Sequence, residues 1–346
     1  MTSELPFAYG GAVLRGILRA QPEDFCVTEI QPITPEGSGE HAWLWVRKRG
    51  ANTDWVAKGL ARFAGVKPMD VSYAGQKDRH AVTEQAFTVH LPGRESPDWS
   101  QLDLEGVTVV SHSRHNRKLK RGALQGNVFE ITLREVSGDA ARAQVVLEQI
   151  RSQGVPNYFG EQRFGLGGGN VERARKLFAG QRCDRATRSL LISAARSHLF
   201  NAVLHERVVQ GSWNQPLEGE VWCLNGSHAW FGPEVFSDDL RARLAAGDIH
   251  PSGPLWGRGR LRSSDAALTL EQTTLAPFED LRNGLEHVGL EQDRRALRLI
   301  PHALNWEWLD TATLRLRFAL PSGAYATTVL REVVDWAAGD ASHAVG

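Results

Sequence analysis

The chain has 346 residues, with 40 Lys or Arg against 40 Asp or Glu, so its formal net charge is zero. That balance excludes a globally basic nucleic-acid coat and an acidic tail, while leaving room for a local basic groove. With 42% hydrophobic and 23% charged residues, and Cys26, Cys183 and Cys223 far apart with no CxxC pair, the composition fits a globular protein of about two domains without a disulfide framework or a cysteine-rich zinc site.

The first third alternates strand-like and helix-like stretches. His41-Ala-Trp-Leu-Trp-Val46 reads as a strand, with Trp43 and Trp45 on one face. Asn52–Ala64 follows as a helix, with Val56, Leu60 and Phe63 spaced to bury one side. Short strands are expected at Val71–Ala74, Gln85–Leu91 and Val107–Ser111. Gly126–Glu135 alternates with Phe129, Ile131 and Leu133 on one face, and Ala140–Ser152 reads as a helix.

The middle has a different texture. Gly154–Asn170 holds six glycines and a proline, the signature of a long ordered loop. Val171–Ala179 and Ala186–Val209 read as helices. Leu190, Leu191, Ala194, His198, Leu199, Ala202 and Val203 trace a broad apolar stripe along the second. A Trp-, Gly- and Pro-rich stretch runs from Gly211 to Gly259. Leu314–Leu320 then alternates as an antiparallel strand, and a helix is expected from about Ala326 to Ala337. The closing strand and helix resemble the first third, which suggests one domain interrupted by an insertion.

Few segments carry chemistry. His112-Ser-His-Ser-Arg-His-Asn-Arg-Lys-Leu-Lys-Arg121 is the densest charge cluster, and five of the eight residues from Arg114 to Arg121 are basic. Such an excess attracts phosphates, and a solvated basic loop is equally compatible with it. His112 and His115 have no carboxylate or cysteine beside them, so no metal site is expected. Gly165-Leu-Gly-Gly-Gly169 lacks the Lys-Ser/Thr of a P-loop. Gly37-Ser-Gly-Glu-His-Ala42 precedes a strand rather than the helix a dinucleotide fingerprint needs. No cofactor is expected.

In Tyr73-Ala-Gly-Gln-Lys-Asp-Arg-His-Ala-Val-Thr-Glu-Gln85 a short strand ends and Lys77, Asp78 and Arg79 follow on a loop. An aspartate is ionised at neutral pH, and flanking cations favour the anion where they point toward it. An ionised carboxylate so placed suits a nucleophile or general base, and a structural salt bridge is the plainer reading.

This segment resembles the catalytic motif of the TruD family of tRNA pseudouridine synthases. Four further blocks resemble that family in the same order: Pro22-Glu-Asp-Phe-Cys-Val-Thr-Glu29, Gly126-Asn-Val-Phe-Glu-Ile131, Asn157-Tyr-Phe-Gly-Glu-Gln-Arg-Phe-Gly165 and Leu320-Pro-Ser-Gly-Ala-Tyr-Ala-Thr-Thr-Val-Leu-Arg-Glu332. The resemblance implies isomerisation of uridine to pseudouridine in tRNA, at position 13 of the D arm, without metal or organic cofactor. It places the catalytic aspartate on Asp78. Attack on the sugar, attack on the base and abstraction of a sugar proton all stay open as its role.

Substrate-binding positions fall on Phe25, Asn127 and Tyr325, where many family members carry Phe. Phe129 shares the strand face of Asn127, which suits a pocket wall and core packing equally, and Lys77 either holds Asp78 or meets a phosphate. Arg79, Arg117, Lys118, Lys120 and Arg121 become candidate phosphate contacts, with Arg163 and Arg331 behind them as candidates for phosphate or carboxylate pairing. The implied fold is α+β: a pseudouridine-synthase core at residues 1–152 and 304–346, with a mixed, mostly antiparallel sheet flanked by helices, interrupted by an α/β insertion at 153–303. A catalytically silent RNA-binding or RNA-folding protein on the same scaffold is the alternative, and the intact Gly-Gln-Lys-Asp-Arg block favours the enzyme. The expected partner is tRNA, with no obligate protein partner. No apolar run approaches the roughly 18 residues of a membrane span and residues 1–12 lack a signal-peptide pattern, so a cytoplasmic location is expected.

Overall fold

A computed structural model describes residues 5–338. The chain begins with β1 (Leu14–Leu18), β2 (Phe25–Ile30), β3 (His41–Arg49), α1 (Thr53–Ala64), β4 (Val71–Tyr73), β5 (Val82–His90), β6 (Val107–His115), β7 (Gly126–Gly138) and α2 (Ala140–Gln153). It continues through β8 (Val155–Pro156), α3 (Gly169–Phe178), α4 (Arg185–Val209), β9 (Trp222–Leu224), β10 (Trp230–Phe231), α5 (Asp238–Ala245) and β11 (Ile249–Leu255). Then come α6 (Asp265–Leu275), α7 (Glu279–His287), β12 (Asp293–Ala296), β13 (Arg298–Leu299), β14 (His302–Asp310), β15 (Thr313–Pro321), α8 (Ala326–Leu330) and β16 (Val334–Ala338).

These elements divide into two compact units. Among the described residues, one holds Val13–Ala141, Pro301–Gly323 and 334–338; the other holds 5–12, Arg142–Ile300 and Ala324–Val333.

The first unit is built on a ten-stranded sheet in which β14, β15, β7, β2, β5, β3 and β6 lie side by side, with β1, β4 and β16 attached. The β2–β5 and β1–β16 pairs are parallel and the others antiparallel, which is the mixed, mostly antiparallel arrangement expected. Strand β7 is the hub, pairing with β1, β2 and β15. Its alternation explains this position: Phe129, Ile131 and Leu133 are buried opposite Phe318, Leu316 and Leu314 of β15. Strand β3 is covered on both faces, which is why its apolar residues run nearly unbroken. Ala42, Leu44 and Val46 share a core with Val56 and Leu60 of α1, and Trp43 packs with Ala86 and Leu119 on the other side. Helix α1 ends where Gly65 takes a left-handed φ of 61° and its amide closes back on Ala61 and Arg62.

The second unit packs α3, α4, α6 and α7 around Leu191, Ala195, Leu199, Val203, Leu275, Leu281 and Leu285. A four-stranded sheet, β10-β9-β11-β12, accompanies them. The apolar stripe of α4 is narrower than its sequence suggests, because Leu190 is 43% exposed.

The C-terminal helix expected to reach Ala337 stops at Leu330, and Val334–Ala338 pairs in parallel with β1. Side-chain anchoring and β-branching explain the switch. Buried Glu332 accepts from the backbone amides of Ala8, at 2.9 Å, and Tyr9, and the β-branched Val333–Val334 pair suits extended backbone. The basic stretch from His112 also departs from a plain loop, since His112–His115 complete β6.

Candidate active site

Between β4 and β5 runs the loop that carries Lys77, Asp78 and Arg79. It is tied down from three elements. Gln85 Nε2 of β5 donates to the Gly75 carbonyl at 2.9 Å, and the Lys77 amide donates to Thr53 Oγ1 of α1 at 3.0 Å. Thr53 Oγ1 in turn donates to Gln85 Oε1 at 3.1 Å. From β3, Lys48 Nζ donates to the carbonyls of Ala51, Asp78 and Lys77 at 2.7, 2.8 and 3.3 Å. The backbone is thus fixed while the Asp78 side chain stays 43% exposed.

The cation that meets Asp78 is neither of its chain neighbours. Arg19 Nη2 donates to Asp78 Oδ2 at 2.6 Å, and the same guanidinium lies 4.0 Å over the Phe25 ring. Lys77 points inward instead, pairing with Glu29 Oε2 at 3.0 Å, with side-chain exposures of 5% and 0%. The expectation that Lys77 holds Asp78 or meets a phosphate is therefore corrected. Turning it away would strand a buried carboxylate, a loss of about 3–5 kcal/mol. Arg79 is exposed and donates to the Gly50 carbonyl at 3.4 Å.

Glu29 organises the floor beside the loop. It accepts from Lys77, from Gln31 Nε2 at 3.0 Å and from the Ala86 amide at 3.4 Å. Strand register puts Asn127 directly across from Glu29, and Phe129 across from Val27. The Asn127 Oδ1 is buried with no hydrogen-bond partner among the described residues, an acceptor left over for a ligand donor. Phe25 and Phe129 meet edge to face at 6.2 Å, and Phe129 stacks on Phe318 at 5.6 Å. Both rings are buried, so they form an apolar wall whose outer covering at Phe25 is Arg19.

Tyr325 belongs to the second unit, where it precedes α8. Its hydroxyl accepts from Arg163 Nη2 at 3.0 Å, while Arg163 Nη1 donates to Ser193 Oγ at 3.0 Å. The ring lies close along Gly160, where a Cβ would stand 3.3 Å from it. Arg331 is structural here, binding the carbonyls of Pro6 and Leu5 and lying 4.2 Å over Phe7.

The basic segment is mixed. Arg114 is spent on four acceptors: the carbonyls of Gly39, Leu91 and Arg94, and Ser96 Oγ. Arg117, Lys118 and Lys120 are exposed. Arg121 lies 4.0 Å over the Tyr73 ring and donates to its hydroxyl at 2.7 Å, and that hydroxyl donates to Asp54.

Sequence reasoning missed Arg19, Lys48 and Glu29. Arg19 acts across 59 positions, which no local pattern marks. Lys48 did leave a signal: it occupies an inward position after Ala42, Leu44 and Val46, where an apolar residue would be expected.

Comparison with known proteins agrees with this architecture. The family model for tRNA pseudouridine synthase D (TruD) matches residues 6–174 and 175–333. The chain is 54% identical to tRNA pseudouridine synthase D of Xanthomonas axonopodis pv. citri, covering 96% of this chain and 95% of that one. It is 52% identical to the protein of that name from Methylococcus capsulatus, with the same coverage of both chains. A crystal structure of a protein assigned as tRNA pseudouridine synthase D (TruD) from Methanosarcina mazei shares the fold, with a TM-score of 0.73 at 21% identity over 94% of this chain and 95% of that one. The chain belongs to the tRNA pseudouridine synthase D (TruD) family.

Proposed function

We propose that this chain isomerises a uridine of tRNA to pseudouridine, with Asp78 as the catalytic carboxylate and uridine 13 of the D arm as the target. The observation that carries this reading is the Asp78 carboxylate itself. It is held out on a pinned loop, paired with Arg19, beside a sheet face that presents Asn127 Oδ1 and the Phe25–Phe129 wall. The reading is supported by the relatives' names and by the five sequence blocks that resemble the family.

In this reaction the bond between N1 of the base and C1′ of the ribose breaks and a bond from C5 to C1′ forms. The proton lost from C5 is balanced by the one gained at N1. Substrate and product are isomers, so no electrons or transferred groups have to be supplied, and we assign the activity no cofactor. An anionic oxygen at the ribose is what the chemistry asks of the protein. Asp78 supplies it, and Arg19 keeps it oriented. Asn127 Oδ1 accepts the N3–H of the uracil. Tyr325, with its hydroxyl held by Arg163, offers an aromatic face to RNA. Extruding the target base costs about a few kcal/mol, which stacking of about 1–3 kcal/mol per base offsets. Arg79, Arg117, Lys118 and Lys120 contact phosphates, while Arg121 braces Tyr73.

The test is to incubate the purified protein with tRNA transcripts and map pseudouridine by carbodiimide-dependent primer extension. A single stop at position 13, lost when that uridine is replaced, is the expected result. Tight tRNA binding with no pseudouridine at any position would overturn the reading in favour of a silent RNA-binding protein.

A further inference from the structure

We infer that Lys48 is a positioning residue for the reaction, its ammonium holding the Lys77–Asp78 backbone in the bend that presents the Asp78 carboxylate. The inference rests on the reading of Asp78 as the catalytic group.

The inward row of β3 runs Ala42, Leu44, Val46 and Lys48, all 0% exposed. Sheet packing alone asks for a fourth apolar side chain here, because burying a charge is unfavourable. Burial pulls the Lys48 ammonium well below the usual lysine range, to about 8, against the Asp78 carboxylate, which raises it. Lys77 adds to the depression. The fold tolerates this because each of the three ammonium donors finds a carbonyl: Ala51 at 2.7 Å, Asp78 at 2.8 Å and Lys77 at 3.3 Å.

Two of those carbonyls belong to consecutive residues. In extended backbone, successive residues face opposite ways. Carbonyls of Lys77 and Asp78 that converge on one nitrogen define a bend, and a cation with several donors is what satisfies such a convergence. The bend separates the side chains on either side of it. Lys77 turns inward to Glu29 and Asp78 outward to Arg19. Without the ammonium, the Asp78 carbonyl loses its donor, the Lys77 carbonyl keeps only Thr53 Oγ1 at 3.5 Å, and the loop regains freedom at the residue whose placement the chemistry depends on. A displacement of about 1 Å at a reacting group can lower a rate about 100-fold.

The experiment compares wild type with Lys48→Met, which keeps the length and apolar stem but has no donor, and Lys48→Gln, which keeps a neutral donor. Three quantities are read: tRNA affinity, the single-turnover rate at saturating enzyme, and amide hydrogen exchange. The expected result for Lys48→Met is affinity within about threefold of wild type, a rate lower by about 10- to 100-fold, and faster exchange confined to residues 75–81. Lys48→Gln should fall between the two.

A Lys48→Met rate within about twofold of wild type, measured beside an inactive Asp78→Asn, would overturn the inference alone. Activity in Asp78→Asn would instead remove the reading it rests on. If Lys48→Met does not fold, Lys48→Gln decides by the same criteria. Failure of both to fold, or exchange raised evenly through α1, β3 and β5, would make Lys48 a stabilising residue and also overturn the inference.

Discussion

Arg19 bridges Asp78 and Phe25: its guanidinium donates to the carboxylate at 2.6 Å while lying 4.0 Å over the ring. Arg19 itself adopts a left-handed φ of 61°, a conformation uncommon for a residue with a side chain. Planarity matters in this role, because a flat cation can cover an aromatic face and donate at its edge at once. Arg19→Met should lower the single-turnover rate by about 10- to 100-fold while changing tRNA affinity little, and Arg19→Lys should recover part of the loss. An unchanged rate in Arg19→Met would show that the ion pair has no part in orienting Asp78.

The exposed cations of the basic segment should act on docking. Replacing Arg117, Lys118 and Lys120 with alanine should weaken tRNA binding and make the log-affinity against log-salt slope shallower by up to about 0.9 units per lost phosphate contact. Arg121→Ala should behave differently, since this residue braces Tyr73 and, through it, Asp54. Salt titrations of the triple variant and of Arg121→Ala separate the two. Identical slopes in the triple variant and wild type would mark the segment as a solvated loop.

Chelation provides a further check. Exhaustive treatment with EDTA and dialysis should leave activity on pre-folded tRNA unchanged. Specific restoration by added zinc, with magnesium held constant for the RNA, would contradict a reaction without cofactor.

One titration should be visible in stability. His198 of α4 lies between Phe164 and Phe278, at ring distances of 6.3 and 5.2 Å. Burial holds its pKa below 6.5, with Arg175 acting in the same direction. The unfolded chain therefore takes up the proton first as pH falls. Stability present above about pH 6.5 should be lost progressively below it. In urea unfolding from pH 7.5 to 5, His198→Phe should show a shallower decline than wild type. Parallel curves would contradict this assignment.

How much of this was legible in the sequence depends on the range of each interaction. The strands β3, β7 and β15 and the helices α1 and α4 announce themselves through local periodicity, and Asp78 through a local motif. The end of the C-terminal helix does not, because Glu332 is drawn out by the amides of Ala8 and Tyr9, over 320 positions away. Lys77 and Arg79 suggested themselves as partners of Asp78 by adjacency. The bend of the loop sends Lys77 to Glu29 and leaves the carboxylate to Arg19, a pairing fixed by tertiary structure alone. Lys48 lies between these cases: its inward position in an apolar row is readable, while the carbonyls it serves are not.

The most direct test of the account is Asp78→Asn. The amide is nearly isosteric, can still accept from Arg19, and lacks the anionic oxygen. Carbodiimide-dependent primer extension on tRNA, run with wild type and Asp78→Asn at matched saturation, should show full conversion at uridine 13 for the former and none for the latter, with tRNA affinity unchanged within about threefold. Conversion by Asp78→Asn at a rate comparable to wild type, in protein verified by mass to retain the asparagine, would contradict Asp78 as the catalytic carboxylate.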